Sequence, residues 1–301
     1  MSSRAIGTPP ALPIRTVDTR QHDLPRRCAA YLVGEQPLAL IETGTSRSAS
    51  ILLEATENRN LAYIFVTHVH LDHAGGAGLL AARHPEATVV AHPRAIRHLA
   101  DPRRLTEGVR EASPDLYPLY GEPVPIPQAQ LHAAADGETF DLGGGGAVQA
   151  IHAPGHAPHH ACFFEPAGRV LFTGDAVGNH GIPADVPLTV PPRFDADAAQ
   201  TTLRRLRRLR PAVLAFTHFG LATEPPDLLL NQYESSIEKW FERIRRLRTS
   251  HAPDGIVDAV LDEPRYEKLQ RPDRLLIEMC VRGALMTLEG GDPDVTRCES
   301  R

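Results

Sequence analysis

The sequence predicts an α/β fold that is followed by a C-terminal helical extension. Short apolar strands alternate with helical segments up to about residue 225, and most strands end at glycine or at a polar side chain. Beyond that point the pattern changes to two longer helices over 228–247 and 271–288. We therefore predict a strand-and-helix domain over residues 1–225 and a helical extension over residues 226–301.

The strands of this fold are predicted where runs of apolar residues end in a turn. They cover, in chain order, 38–44, 61–67, 87–92, 137–142, 148–152, 162–164, 169–173 and 212–217. Helices are predicted over 46–57, from 75 to 82, over 93–99, and after an aspartate cap at Asp195 or Asp197. The glycine run 143–146 lacks the spacing of a phosphate-binding loop and is interpreted as a hairpin turn. The segment 102–127 is rich in proline and charge, so we interpret it as a long excursion of the kind found near binding sites.

The composition narrows the class of protein. The 301 residues are 42% hydrophobic and carry a formal charge of −5, which argues against nucleic acid as the main partner because phosphate binding needs a basic face. No apolar run is long enough to span a bilayer, and the first residues lack the apolar stretch of a secretory signal. The cysteines show no C-x-x-C spacing and are interpreted mainly as buried thiols. We expect a cytoplasmic protein with a small-molecule substrate, no nucleic-acid or membrane partner, and a homodimer as a candidate assembly.

Four loops carry side chains of the kind that bind metal ions, and each loop follows an apolar strand. They are His68-Val69-His70-Leu71-Asp72-His73, His152-Ala153-Pro154-Gly155-His156, Thr173-Gly174-Asp175 and Thr217-His218-Phe219-Gly220. Imidazole nitrogen and carboxylate oxygen suit zinc, iron or manganese, and no cysteine is needed. An isolated histidine is more often structural than a ligand, but three histidines and an aspartate within six residues favour a metal site.

The number of candidate ligands indicates two metal ions rather than one. A single catalytic zinc takes three protein ligands and keeps one position for water. A larger set suits two ions about 3.5–4 Å apart that share a water and a carboxylate. Such a pair lowers the pKa of the shared water, so that hydroxide is available at neutral pH. We therefore expect two divalent cations as cofactors, with zinc first and iron or manganese as alternatives.

The motifs His-x-His-x-Asp-His, Pro-Gly-His, Thr-Gly-Asp and Thr-His-Phe-Gly resemble those of the metallo-β-lactamase-fold hydrolase superfamily in order and spacing. The resemblance covers residues 25–225 and is greater to the glyoxalase II and lactonase-like branch than to the true β-lactamases. It implies a four-layer αββα sandwich with the metals at one edge, so that residues 1–225 are the catalytic domain. It also implies seven metal ligands: His68, His70 and His156 on the first metal, Asp72, His73 and His218 on the second, and Asp175 bridging both.

Neighbouring residues are candidates for supporting roles. Glu42 stands where the family usually has aspartate, at a position that orients the ligands through hydrogen bonds. His160 falls where many relatives carry a histidine that braces the site. His180, in the loop after Asp175, is either a substrate contact or an ordinary loop histidine, and His159 is interpreted as structural or exposed.

The resemblance implies a metal-dependent hydrolase in which a hydroxide held by the dinuclear metal attacks an ester, lactone or thioester carbonyl. Asp72 and Asp175 are the expected catalytic residues, with Asp72 helping to deliver a proton to the leaving group. Two alternatives of the same fold remain: an iron-dependent oxidoreductase similar to persulfide dioxygenases, and a phosphodiesterase. The natural substrate depends on the segment near 100–127 and on the C-terminal helices.

Overall fold

Two mixed sheets of six strands each form the centre of the fold in the computed structural model, which describes residues 11–180, 185–191 and 194–290. The first sheet contains β1 (Ile14–Asp18), β2 (Ala29–Gly34), β3 (Leu38–Ile41), β4 (Leu61–Phe65), β5 (Thr88–Ala91) and β6 (Leu131–Ala133). Strands β1 to β3 pair antiparallel, whereas β3 to β6 run parallel. The loops after β3, β4 and β5 therefore leave the sheet at one edge.

The second sheet supplies the opposite half of that edge. It contains β7 (Thr139–Asp141), β8 (Ala147–His152), β9 (Ala161–Glu165), β10 (Val170–Gly174), β11 (Val213–Phe216) and β12 (Gly220–Leu221). Strands β7 to β10 are antiparallel neighbours, and β11 pairs parallel with β10. The loops after β10 and β11 consequently leave this sheet side by side.

Helices cover the outer faces of both sheets and close the chain. They are α1 (Ala49–Ala55), α2 (Leu71–Ala74), α3 (Ala77–Arg83), α4 (Ile96–Ala100), α5 (Arg103–Ala112), α6 (Tyr117–Tyr120), α7 (Ala196–Arg208), α8 (Pro226–Leu247), α9 (Pro253–Leu261) and α10 (Arg271–Leu288). Short 3-10 turns lie at Gln21–Asp23, Pro93–Ala95, Gln128–Gln130 and Pro264–Tyr266. The cap of α7 is Asp195, whose side chain accepts a hydrogen bond from the backbone N–H of Ala198.

The space between the sheets is filled by aromatic side chains. Tyr31 and Phe65 of the first sheet share a buried cluster with Phe163 and Phe172 of the second, and the ring centroids of Phe65 and Phe163 are 4.8 Å apart. Successive residues of β2 point alternately into this cluster and towards the outer helices, so the strand is buried on both faces.

Apolar helix faces complete the outer layers. Leu52 of α1 and Leu80 of α3 pack in one cluster with the outer face of the first sheet. On the second sheet, Leu206 of α7, Trp240 of α8 and Val281 of α10 belong to one continuous cluster. The order of layers is helix, sheet, sheet, helix, which confirms the predicted four-layer αββα sandwich and its C-terminal helices.

Several elements were not predicted from the sequence, among them β1, β2, β6, β12, α2 and α9. Strands β1 and β2 form a hairpin ahead of the first predicted strand, and β2 shows no polar alternation because both of its faces are buried. Helix α9 begins at Pro253, since proline is tolerated in the first turn of a helix, where its missing N–H has no partner to lose. The start of the predicted domain 1–225, residues 1–10, and the end of the predicted extension 226–301, residues 291–301, lie outside the described residues.

Among the described residues, none of the helices combines the length and the apolar character needed to cross a bilayer.

Candidate metal centre

The seven predicted ligands meet at the edge where the parallel strands of both sheets end. They come from the loop after β4 (His68 and His70), from α2 (Asp72 and His73), from the β8–β9 loop (His156), from the residue after β10 (Asp175) and from the loop after β11 (His218). Their ligand atoms form two groups, and within each group the atoms lie within 4.8 Å of one another.

The first group contains three imidazole rings and one carboxylate oxygen. The Nδ1 atom of His70 lies 2.9 Å from Nε2 of His68 and 3.0 Å from Nε2 of His156. Oδ2 of Asp175 is 3.4 Å from Nε2 of His156 and 3.9 Å from Nε2 of His68. Four donor atoms thus surround one point, as a tetrahedral or five-coordinate metal site requires.

The second group lies on the other side of Asp175. Oδ2 of Asp72 is 3.5 Å from Nε2 of His218 and 3.9 Å from Nε2 of His73. Oδ1 of Asp175 is 3.4 Å from Nε2 of His73 and 3.5 Å from Nε2 of His218. Asp175 therefore directs one oxygen to each group, which is the geometry of a bridging carboxylate.

Two atoms at the centre of the site are buried and have no hydrogen-bond partner among the described residues. They are Oδ1 of Asp175 and Nε2 of His73, which face each other without the geometry of a hydrogen bond. Buried polar atoms are nearly always partnered, so such a pair needs an explanation. A divalent cation bound by nitrogen and oxygen donors would satisfy both, and the donor set fits zinc, iron or manganese.

The charges of the site favour a cation. Burial lowers the pKa of His73, but the carboxylates of Asp175, Glu42 and Asp72 outweigh it and hold that pKa well above its usual value. Burial raises the pKa of Asp175, yet the imidazoles of His73 and His218 shift it well below its usual range. The raised pKa of His73 reflects the negative charge around it, and the lowered pKa of Asp175 keeps that carboxylate ionised, so both favour positive charge at this point.

Two motif glycines explain why the chain turns as it does here. Gly174, just before Asp175, has a φ of +48°, and a Cβ there would lie 2.6 Å from Nε2 of His160. A Cβ on Gly155 would lie 2.5 Å from Cα of Ala199, where α7 crosses the loop. Any larger residue at either position would displace the ligand that follows it.

Glu42 connects the first and the last of the four ligand loops through one oxygen. Its Oε1 accepts hydrogen bonds from Oγ1 of Thr67 at 2.6 Å and of Thr217 at 2.9 Å, and lies 3.0 Å from Nδ1 of His73. These two threonines immediately precede His68 and His218 in the chain. Glutamate at position 42 thus orients the ligand residues through hydrogen bonds, the role expected of aspartate at this position in the family.

Backbone carbonyls orient two more ligands. Nδ1 of His156 lies 2.8 Å from the carbonyl oxygen of Leu188, and Nδ1 of His218 lies 3.1 Å from that of Arg27. When Nδ1 carries the proton for such a bond, the lone pair of Nε2 points to the metal position.

The histidines beside the ligands take different places. His160 is buried, and its Nε2 accepts a hydrogen bond from the backbone N–H of Asp175 at 3.1 Å. His180 stacks on Phe216, and its Nε2 lies 3.4 Å from Oε2 of Glu224, so it is engaged outside both ligand groups. His159, which the sequence favoured as structural or exposed, has its ring centroid 6.0 Å from that of His70 and a buried Nδ1 without a hydrogen bond among the described residues.

Sequence reasoning missed three residues at the mouth of the site. Nε2 of Gln21 donates to Oδ2 of Asp72 at 3.4 Å, and the ring of His22 lies 5.7 Å from that of Tyr120. Burial, together with the charges of Asp72 and Asp175, raises the pKa of the Tyr120 phenol well above its usual value. The excursion over 102–127 therefore reaches the site through Tyr120, and its proline-rich composition was the only signal for it.

Comparison with known proteins agrees with this geometry. The family model described as Metallo-beta-lactamase superfamily matches residues 23–218. A metallo-beta-lactamase fold-containing protein of Sulfurisphaera tokodaii is 29% identical over 228 residues, which cover 74% of this chain and 81% of that protein. An atrochrysone carboxyl ACP thioesterase of Paecilomyces divaricatus is 30% identical over 207 residues, 67% of this chain. The match covers 53% of that thioesterase, so the chain spans about half its length.

Solved structures show the same architecture. The crystal structure of an archaeal metallo-beta-lactamase superfamily protein from Sulfolobus tokodaii aligns with a TM-score of 0.69 at 25% identity, covering 92% of this chain and all of that one. A metallo-beta-lactamase family protein from Thermus thermophilus aligns with a TM-score of 0.62 at 20% identity, over 93% of this chain and 94% of that one. The second likeness concerns the fold alone.

Proposed function

The chain belongs to the metallo-β-lactamase superfamily, and from that premise we propose that it is a dinuclear metal-dependent hydrolase that acts on a thioester, lactone or carboxylic ester carbonyl. The observation that carries the proposal is the position of Asp175, whose two oxygens face two separate sets of imidazole nitrogens at 3.4–3.9 Å. Members of the superfamily are mostly hydrolases, which supports hydrolysis as the reaction.

The side chains of the site would have different roles in such a reaction. Two adjacent divalent cations, when bound, lower the pKa of a water between them and polarise a carbonyl oxygen. His68, His70 and His156 would hold the first cation, and Asp72, His73 and His218 the second, with Asp175 between them. Five of these seven groups are buried, and His70 and Asp72 are partly buried, so little bulk water weakens the electrostatic contacts of the site.

Asp72 is suited to move a proton. Its side chain is 19% exposed, against 6% for Asp175, so it faces the open side of the site. Oδ2 of Asp72 is directed at His73 and His218, which leaves Oδ1 to carry a proton from the attacking water to the leaving group.

Tyr120 and Gln21 are suited to bind the substrate. The phenol of Tyr120 stands close enough to Asp72 and Asp175 to be affected by their charges. A neutral phenol near these carboxylates can donate a hydrogen bond to an acyl oxygen, and the side-chain amide of Gln21, which contacts Asp72, can do the same. We place the acyl group of the substrate between these two residues.

Among the three carbonyl classes, a thioester is the first to test. Relatives described as atrochrysone carboxyl ACP thioesterases match at 30% and 32% identity, over 67% and 51% of this chain. A neutral, hydrogen-bonding mouth made of Tyr120, Gln21 and His22 suits an uncharged acyl thioester better than a phosphodiester, whose charge calls for arginine or lysine.

Metal analysis and turnover, measured on the same preparation, test the proposal. We expect two zinc or manganese ions per chain and hydrolysis of acyl thioesters, with lactones and esters as slower substrates. Asp175→Asn should abolish turnover, whereas Glu165→Gln, at a buried carboxylate at the far end of β9, should retain it. A single iron with oxygen consumption would favour the oxidoreductase alternative, and turnover of phosphodiesters alone would refute carbonyl hydrolysis.

A further inference from the structure

We propose that Asp273, on α10 of the C-terminal extension, is a positioning residue for His218, and that it acts through Arg27. The inference rests on the proposed function, because it takes His218 as a ligand of the second metal. It gives the extension a role in metal binding, although none of the seven predicted ligands comes from it.

A two-point ion pair joins the extension to the segment between β1 and β2. Nη2 of Arg27 lies 2.6 Å from Oδ2 of Asp273, and Nη1 of Arg27 contacts Oδ1 of the same carboxylate. The Asp273 side chain is 7% exposed and that of Arg27 is 21% exposed. A bidentate pair with so little exposure holds the guanidinium in one orientation, and removing either partner leaves a charge in a poorly solvated place.

The backbone of the same segment holds the second ligand group. The carbonyl of Arg27 faces Nδ1 of His218 at 3.1 Å, and the N–H of Ala29 donates to the carbonyl of Thr217 at 2.7 Å. Sγ of Cys28 lies 3.6 Å from the backbone oxygen of Asp72. The segment of Arg27, Cys28 and Ala29 thus contacts two ligand-bearing segments, at Asp72 and at Thr217–His218.

These contacts connect Asp273 to the imidazole of His218 in three steps. The carboxylate fixes the guanidinium of Arg27, and the side chain of Arg27 fixes its own backbone. The carbonyl of Arg27 then fixes the rotation of His218 and keeps the proton on Nδ1. Without the carboxylate, the segment is held to the extension by fewer contacts and the carbonyl can turn away.

The first ligand group is oriented through other contacts, which reach the same helix α10 at Cys280 and do not involve Asp273. Nδ1 of His156 faces the carbonyl of Leu188, and the next residue, Thr189, donates from Oγ1 to the carbonyl of Cys280 at 2.6 Å. Nε1 of Trp240 also donates to Oγ1 of Thr189, at 3.2 Å. Loss of the Asp273 carboxylate should therefore weaken binding of the second metal and leave binding of the first metal unchanged.

Metal titration of the chelator-stripped full-length chain tests the inference. Zinc is added to the wild type and to Asp273→Asn in competition with a chromophoric chelator, and the binding step that His218→Ala removes identifies the second metal. We expect Asp273→Asn to weaken that step by about tenfold or more, in the range seen when a residue that orients a ligand is lost. The other step should stay within about twofold, well below that range.

The matched control is Asp254→Asn. Asp254 of α9 pairs with Arg282 of α10, the helix that also carries Asp273, at 3.2 Å, but its side chain is 86% exposed. It should leave both steps unchanged. If Asp273→Asn does not fold, Arg27→Lys, which keeps the charge but loses the two-point contact, should show the same selective weakening. Two unchanged steps in the folded variant would overturn the inference, as would equal weakening of both. A wild type that binds fewer than two zinc ions would instead refute the proposed dinuclear function.

Discussion

Replacing Glu42 by glutamine removes one negative charge from the centre of the metal site while keeping the shape of the side chain. Oε1 of Glu42 accepts hydrogen bonds from Oγ1 of Thr67 and of Thr217, and it lies 3.0 Å from Nδ1 of His73. Glutamine can still accept hydrogen bonds through its amide oxygen, but it no longer provides a charged acceptor for the imidazole of His73.

The size of the effect follows from these contacts. A hydrogen bond to a charged group contributes about 1.5–3 kcal/mol and a neutral one about 0.5–1.5 kcal/mol, so the bond to His73 loses about 1.25 kcal/mol, the difference between the midpoints of these ranges. That difference is about tenfold in an equilibrium constant. If the amide instead turns its NH₂ group towards His73, the ring must accept at Nδ1 and its proton moves to Nε2, which faces the metal position. The affinity for the second metal would then fall by about a hundredfold, the upper end of the range for such orienting residues.

A competition titration with a chromophoric chelator measures this loss directly. Glu165→Gln is the matched control, because Glu165 is also fully buried and accepts hydrogen bonds from the backbone of Ala167 and Gly168. It should lower the melting temperature without changing metal affinity. An affinity of Glu42→Gln within twofold of the wild type would refute the reasoning that Glu42 orients His73.

Three further outcomes follow from the site. Asp175→Asn should remove at least one metal per chain, because one of its atoms can no longer bind a cation, and retention of both metals in elemental analysis would contradict the bridging position. Tyr120→Phe should lower kcat for a thioester by about a hundredfold if the phenol binds the developing oxyanion; metal content should not change, and Tyr117→Phe on the same helix should be silent. Burial lowers the pKa of His73, but the surrounding carboxylates outweigh burial and hold that pKa well above its usual value. The imidazolium therefore stabilises the metal-free protein fully below about pH 6.5, and this stability is lost as the pH rises through the raised pKa. The melting temperature of chelated protein should fall as the pH rises above about 6.5, whereas in His73→Gln this part of the slope should disappear.

The fold could be predicted to the extent that local pattern reflects local structure. Helices α8 and α10 were predicted within a few residues, because an apolar stripe and a proline in the first turn are properties of the segment itself. The β1–β2 hairpin was not predicted, since β2 is covered on one side by the second sheet and on the other by helices. A strand buried on both faces shows no alternation from which its position could be inferred.

The candidate ligands could be named from the sequence because metal chemistry restricts the side chains and the strand ends restrict where they stand. Their division into two groups with Asp175 between them was implied by family resemblance, and the structure brings the same atoms together. Tyr120 and Gln21 could not be named, because they reach the site from segments that carry no metal-binding pattern.

The alternation of strands and helices, the helical extension and the identity of seven side chains that can bind metal follow from the amino-acid sequence alone. Each of them depends on residue type and on near neighbours in the chain. The packing of distant segments is needed for Glu42 to join two ligand loops and for Asp273 to reach the carbonyl beside His218 through Arg27. The physical reason is distance along the chain: Arg27 and Asp273 are 246 positions apart. Their contact exists only after two sheets and the C-terminal helices have packed together, because no local propensity brings such residues within hydrogen-bonding distance.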